Sequence, residues 1–234
     1  MGRVLGVLLA IVLVVAGAAV GGAYAFDDRI RSEVEGQVAA NLKTTVPFTV
    51  LPTVEIEGHP IALHLLTRRF PSVRVRGAQV PTQLDAERTL NLLNVDMTLT
   101  DVVHADTTVD AAHVAGTARL AWAEVSQLAG VQVTDAGGGR LAASGSAEVL
   151  GFTVHATLTG VPALDTAAQT LTIAEPEVDL AGVRLPDQAT QALVDTFLQP
   201  FAVPLPYALA LDGVTPGHRH AQAVGAGRDV SFPR

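Results

Sequence analysis

Four arginines are the side chains with most chemistry to offer. Arg68, Arg69, Arg74 and Arg76 fall in a stretch with no acidic residue between Glu57 and Asp85. Val73 and Val75 alternate with Arg74 and Arg76. An extended strand would therefore aim both guanidinium groups at one face, about 6 to 7 Å apart. Guanidinium forks match phosphate oxygens, so the group could contact a lipid headgroup or a membrane surface. A solvated outer face, or an edge strand guarded against aggregation, accounts for the same pattern.

Covalent chemistry finds less support. The chain has no cysteine, which excludes thiol chemistry, disulfides and a lipidated thiol anchor. Ser144-Gly145-Ser146 lacks the Gly-x-Ser-x-Gly spacing of a nucleophile elbow. No Gly-rich dinucleotide fingerprint follows a strand, and no phosphate loop ends in Gly-Lys-Ser/Thr. The seven histidines are scattered; His218 and His220 could share a strand face, but no further ligand is evident beside them, so a solvated pair is expected. Asp27 and Asp28 read as helix-start charges rather than as acid and base. The expectation is a non-enzyme with no cofactor and no metal. A net charge of −8 argues against nucleic acid as a partner.

Position is set from the N-terminus. Val4 to Ala25 is a run of 22 residues without a charged side chain, preceded by Arg3. As a helix it would reach about 33 Å, enough to cross a bilayer core of about 30 Å. Ala23-Tyr24-Ala25 also fits a signal-peptide cleavage site. Residues 1–25 are thus a membrane anchor or a signal peptide, and residues 26–234 form an extracytoplasmic domain. Arg3 on one side and Arg29 and Arg31 on the other leave the positive-inside rule balanced; the short tail before a single apolar segment favours export. Expected locations are the cell membrane, single-pass, or the cell envelope after cleavage.

The elements that would hold the arginines follow from periodicity. Ile30, Val34, Val38 and Leu42 recur every four residues, which predicts a helix over Asp27 to Lys43. From Phe48 the period becomes two. Val54 and Ile56 alternate with Glu55 and Glu57 before a Gly58-His59-Pro60 turn; similar alternation marks 93–100, 150–159, 171–173 and 178–180. Gly137-Gly138-Gly139 reads as a loop between strands, and Ala123 to Leu128 as a short helix. Asp187 to Phe201 predicts a longer helix with Leu193, Val194, Phe197, Leu198 and Phe201 as one stripe, Pro186 in its first turn and Pro200 and Pro204 stopping it. Half-apolar strands and amphipathic helices can enclose a groove or fill an ordinary core.

Several segments, in order, resemble the actinobacterial LmeA-like phospholipid-binding family: Pro52 to Pro60, Val73 to Gly77, Leu150-Gly151-Phe152, Gly182 to Pro186, Leu205-Pro206-Tyr207, Leu209 to Val214 and Gly225 to Val230. Scarce lysine and abundant Ala, Val, Gly and Arg also resemble a high-GC actinobacterial bias. The resemblance implies an α+β fold, with a curved antiparallel sheet packed on a long amphipathic helix in the manner of tubular lipid-binding domains, after one N-terminal hydrophobic helix. It implies a cell-envelope protein that binds phospholipid and supports envelope lipid or lipoglycan assembly; the arginines would bias that binding towards anionic phospholipid. The Asp187–Phe201 stripe would line the lipid groove, and the four arginines would meet the headgroup. The alternative is a structural module that docks an envelope biosynthetic enzyme without binding lipid.

Overall fold

A computed structural model describes residues 27–45, 49–83, 89–105, 108–149, 152–180, 183–184, 201–202, 205 and 209–233. The chain divides into two compact units. Unit one takes in Met1–Ala118, Leu205–Leu209 and Gly225–Arg234; unit two takes in Arg119–Pro204 and Ala210–Val224. The helices described are α1 (Asp27–Thr45), α2 (Ile61–Thr67) and α3 (Trp122–Ala129). The strands are β1 (Thr53–Glu57), β2 (Arg69–Gln83), β3 (Thr89–His104), β4 (Thr108–Ala121), β5 (Gln132–Gly137), β6 (Arg140–Val149), β7 (Phe152–Asp165), β8 (Thr170–Leu180), β9 (Val183–Arg184), β10 (Phe201–Ala202), β11 (Ala210–Pro216) and β12 (His220–Pro233).

The fold is mostly β, built on two antiparallel sheets, and this corrects the expected α+β architecture. No long amphipathic helix carries a sheet among the described residues. Leu193, Val194, Phe197 and Leu198 lie outside those residues. Phe201, expected to close the helical stripe, is instead in strand β10, opposite Leu171 of β8. Strand pairing there overrides an apolar spacing that fits a helix equally well, as short apolar runs allow. The expected N-terminal hydrophobic helix, Val4–Ala25, also lies outside the described residues; among those described, no helix is long and apolar enough to cross a membrane.

One sheet runs β1-β2-β3-β4-β12-β11. Within unit one, Val54 and Ile56 of β1 face the same way as Val73 and Val75 of β2, their register partners, and as Leu99 and Met97 of β3. This inner face joins one core with Val34, Val38 and Ala39 of α1, Ile61 and Leu65 of α2, and Phe70, Val102, Val109, Val230 and Phe232. The i, i+4 spacing of Val34 and Val38 puts both on the buried side of α1, which is therefore a core helix. β2 and β3 are paired from Arg69–Val103 to Gln83–Thr89, whereas β1 covers β2 only from Ser72 to Arg76.

Unit two holds the other sheet, β10-β8-β7-β6-β5, with β9 beside β8. Its core gathers Val133, Ala143, Leu158 and Val178. The register of β7 and β8 shifts between Thr159 and Val161, because Glu175 adds a residue with φ of 50°. A Cβ on Gly160 would collide there with Ile173 and with the Ala174 carbonyl, so only glycine lets the bulge close. Arg140 donates to the Glu175 carbonyl at 3.3 Å and to Glu177 Oε1 at 3.1 Å, fastening the bulged strand. The Gln169 amide pairs with both backbone groups of Leu211, as a strand would.

Leu99 is fully buried at the centre of the first core. Leu99→Ala is expected to lower unfolding stability by about 2 to 5 kcal/mol, read from urea denaturation followed by far-ultraviolet circular dichroism.

Candidate functional site

The motif Glu55-Ile56-Glu57-Gly58-His59-Pro60 ends β1 and turns into α2. Gly58 has φ of 111°, and a Cβ there would collide with the His64 ring and the Pro71 side chain. The turn requires glycine on both counts. His64 is held in place by its Nδ1–H, which donates to the Arg69 carbonyl at 2.9 Å, and it lies against the Phe70 ring.

Asp27 closes this corner from the other side. Its carboxylate is buried. Oδ1 accepts the Ile61 N–H at 2.5 Å, and Oδ2 lies 2.7 Å from His59 Nδ1 and 3.2 Å from Arg31 Nη2. Arg31 also donates to the carbonyls of Ile56 and Gly58. Burial on its own would raise the Asp27 pKa; the hydrogen bonds from Ile61, His59 and Arg31 outweigh it and hold the carboxyl below its ordinary 3.8. Asp27 is thus a helix-start charge, as its position suggests, and also a buried tie between α1 and the β1–α2 turn. The sequence signal for this was the pairing of a first-turn acid with a Gly-His-Pro turn, and it is faint. The arrangement offers no nucleophile and no open acid–base pair, so its chemistry is structural.

The four arginines separate into two places. Arg74 and Arg76 share the outer face of β2, as their spacing predicts. Strand pairing adds acids that the sequence interval hides: Glu55 is opposite Arg74, and Asp96 is opposite Arg76. The hydrogen-bonded ion pairs run diagonally, and a longer one, Arg76 Nε to Asp96 Oδ2 at 3.9 Å, runs straight across. Arg74 Nε reaches Asp96 Oδ1 at 2.7 Å, and Arg76 Nη2 reaches Glu55 Oε2 at 2.6 Å. The bond to Arg74 is the main reason the Asp96 carboxyl is held below its ordinary range, and the Arg74 guanidinium is raised in return. This is a charge ladder of compensating cross-strand pairs.

Arg68 and Arg69 lie elsewhere, where α2 passes into β2. Arg68 caps α2 in the left-handed region with φ of 54°, and both residues are exposed. The same helix carries two outward leucines, Leu63 and Leu66, which the sequence reading does not single out; apolar residues on two sides of a seven-residue helix were their only signal. His218 is exposed, with Nδ1 4.0 Å from Asp135 Oδ2. Among the described residues, no group of three or more His, Asp or Glu could hold a metal ion.

The model of the LmeA-like phospholipid-binding family matches residues 18–219 of the chain. No curated protein and no solved structure matches it.

The Asp27 tie gives stability a definite pH dependence. The native carboxyl binds its proton less tightly than the unfolded one, so acid favours the unfolded chain. The contribution is complete above the ordinary carboxylate range and is lost as pH falls below 3.8 and through the depressed native value. Asp27→Asn is expected to cost about 1 to 3 kcal/mol near neutrality, and the gap to the native chain should narrow in acid. Urea denaturation of both chains from pH 7 to pH 3 checks this; a gap independent of pH would contradict it.

Proposed function

The chain belongs to the LmeA-like phospholipid-binding family, and on that footing we propose that it binds phospholipid at the outer side of a cell membrane, without catalysing a reaction. The match over residues 18–219 is the observation that carries the reading. The apolar run Val4–Ala25 supports an envelope location, as a single-pass anchor or as a signal peptide whose removal leaves the rest in the envelope. The role we propose is to hold or pass phospholipid during assembly of envelope lipids or lipoglycans, beside an envelope biosynthetic enzyme. The single lysine and the abundance of Ala, Val, Gly and Arg support an actinobacterial origin.

Headgroup recognition is assigned to the arginines, with unequal weight. Arg74 and Arg76 already hold Asp96 and Glu55, so a phosphate would compete with carboxylates in place. Arg68 and Arg69 are both exposed at the end of α2, beside the outward Leu66, and that position carries the assignment.

Native mass spectrometry of the full chain, released from membranes in mild detergent, is expected to show retained phospholipid, with anionic species enriched. Arg68→Gln with Arg69→Gln should reduce that enrichment more than Arg74→Gln with Arg76→Gln. A chain that retains no phospholipid would overturn the reading in favour of a scaffold module.

A further inference from the structure

The helix α2 presents apolar side chains on opposite sides. Ile61 and Leu65, one turn apart, are buried in the core of unit one. Leu63 and Leu66, also one turn apart, lie on the far side, exposed by 52% and 67%. Leu66 is the most exposed of the large hydrophobic residues described. A surface helix normally turns a polar face outward, and a helix apolar on both sides needs something besides its own core to cover it.

Its position identifies the cover. The Ile61 N–H that begins α2 is bonded to Asp27, the residue that begins α1. The apolar run Val4–Ala25 ends two residues before Asp27, a distance of at most about 7 Å along the chain. The start of α2 is therefore tied to the place where the apolar segment joins the domain. Charge agrees. Arg68 and Arg69 follow α2, and exposed Arg29 lies in the first turn of α1, against exposed Asp28 and Glu57; Asp27 is occupied by Arg31 and His59. Leucines outward, with arginines behind them, are the composition of elements that lie in a bilayer interface. Exposed Val50 and Leu51 do not belong to this patch: they precede Thr53, which pairs with Arg76, whereas the α2 end of β1 is Glu57, paired with Ser72.

We propose that α2 docks on the bilayer surface, with Leu63 and Leu66 seated among the upper acyl chains and Arg68 and Arg69 at the headgroup phosphates. This rests on the reading above that the domain works at a membrane. It adds the face by which the domain meets that membrane.

The absence of cysteine makes the test direct. The full chain carrying Leu66→Cys, labelled with an environment-sensitive fluorophore, is reconstituted in phosphatidylcholine–phosphatidylglycerol vesicles. A chain carrying Ala136→Cys, an exposed site in unit two, serves as reference. The label at 66 is expected to emit as from an apolar medium and to be quenched by nitroxides on the acyl chains, at a depth of about 5 to 10 Å. The label at 136 should be quenched by aqueous iodide alone. Arg68→Gln with Arg69→Gln should weaken the acyl-chain quenching at 66 in anionic vesicles and leave it unchanged in pure phosphatidylcholine. A label at 66 as open to iodide as that at 136 would overturn the proposal. So would a label shielded from iodide yet untouched by the nitroxides, which would assign the face to a protein or to a second copy. Lipid retention, measured separately, keeps the two readings apart: retained phospholipid with an aqueous label at 66 sinks docking alone, and an inserted label without retained phospholipid supports docking and sinks lipid binding alone.

Discussion

The buried carboxylate of Asp27 is the constraint on which the described part of unit one depends. A buried charge is tolerated only where its oxygens are bonded and its charge is met. Here one oxygen takes the first amide of α2 and the other faces His59 and Arg31. Arg31 then satisfies two carbonyls at the end of β1. A helix start, a strand end and a second helix start converge on two charged side chains four residues apart. The apolar packing of Val34, Val38, Ile56 and Ile61 acquires a fixed entry angle from this polar knot, which apolar contact alone would leave adjustable.

The outer face of the same sheet follows a different logic. Arg74 and Arg76 hydrogen-bond not to the acids directly opposite them but to those one step along, and Arg76 Nε also lies 3.9 Å from Asp96 Oδ2 opposite it, so four charges are linked across three strands. Such pairs at an exposed face contribute little each. Their effect is on register: a two-residue slip of β3 against β2 would place Asn94 or Thr98 where Asp96 stands, and a one-residue slip would place Val95 or Met97 there. The interior valines and the exterior charges therefore specify the same alignment.

How far the sequence discloses this can be traced residue by residue. The four-residue recurrence of Ile30, Val34 and Val38 places α1 within two residues of its observed end. The valine–arginine alternation places Arg74 and Arg76 on one face. Strand lengths are underestimated, because Gly77 and Pro81 interrupt the alternation in β2 although pairing with β3 carries on to Gln83. The acids that meet the arginines are invisible in one dimension: Glu55 and Asp96 are distant in sequence, and only pairing brings them near. The largest correction, of a sheet packed on a long helix, falls on what the family resemblance implies; of the apolar stripe read as that helix, Phe201 alone is described, and it is held by a strand. Periodicity reports an element's preference, and partners decide it.

One consequence concerns solubility. Because β1 shields β2 only from Ser72 to Arg76, the stretch Gly77–Gln83 has a described neighbour on one side only, β3. An open strand border of that kind invites a passing chain to extend the sheet, the first step toward fibrous association. Pro81 stands in the middle of it. Lacking an amide proton, it can donate no rung to a ladder, and a proline on such a border is one of the ways proteins blunt it. The residue that hides the strand from a sequence reader also makes its border a poor template for anything that would grow on it.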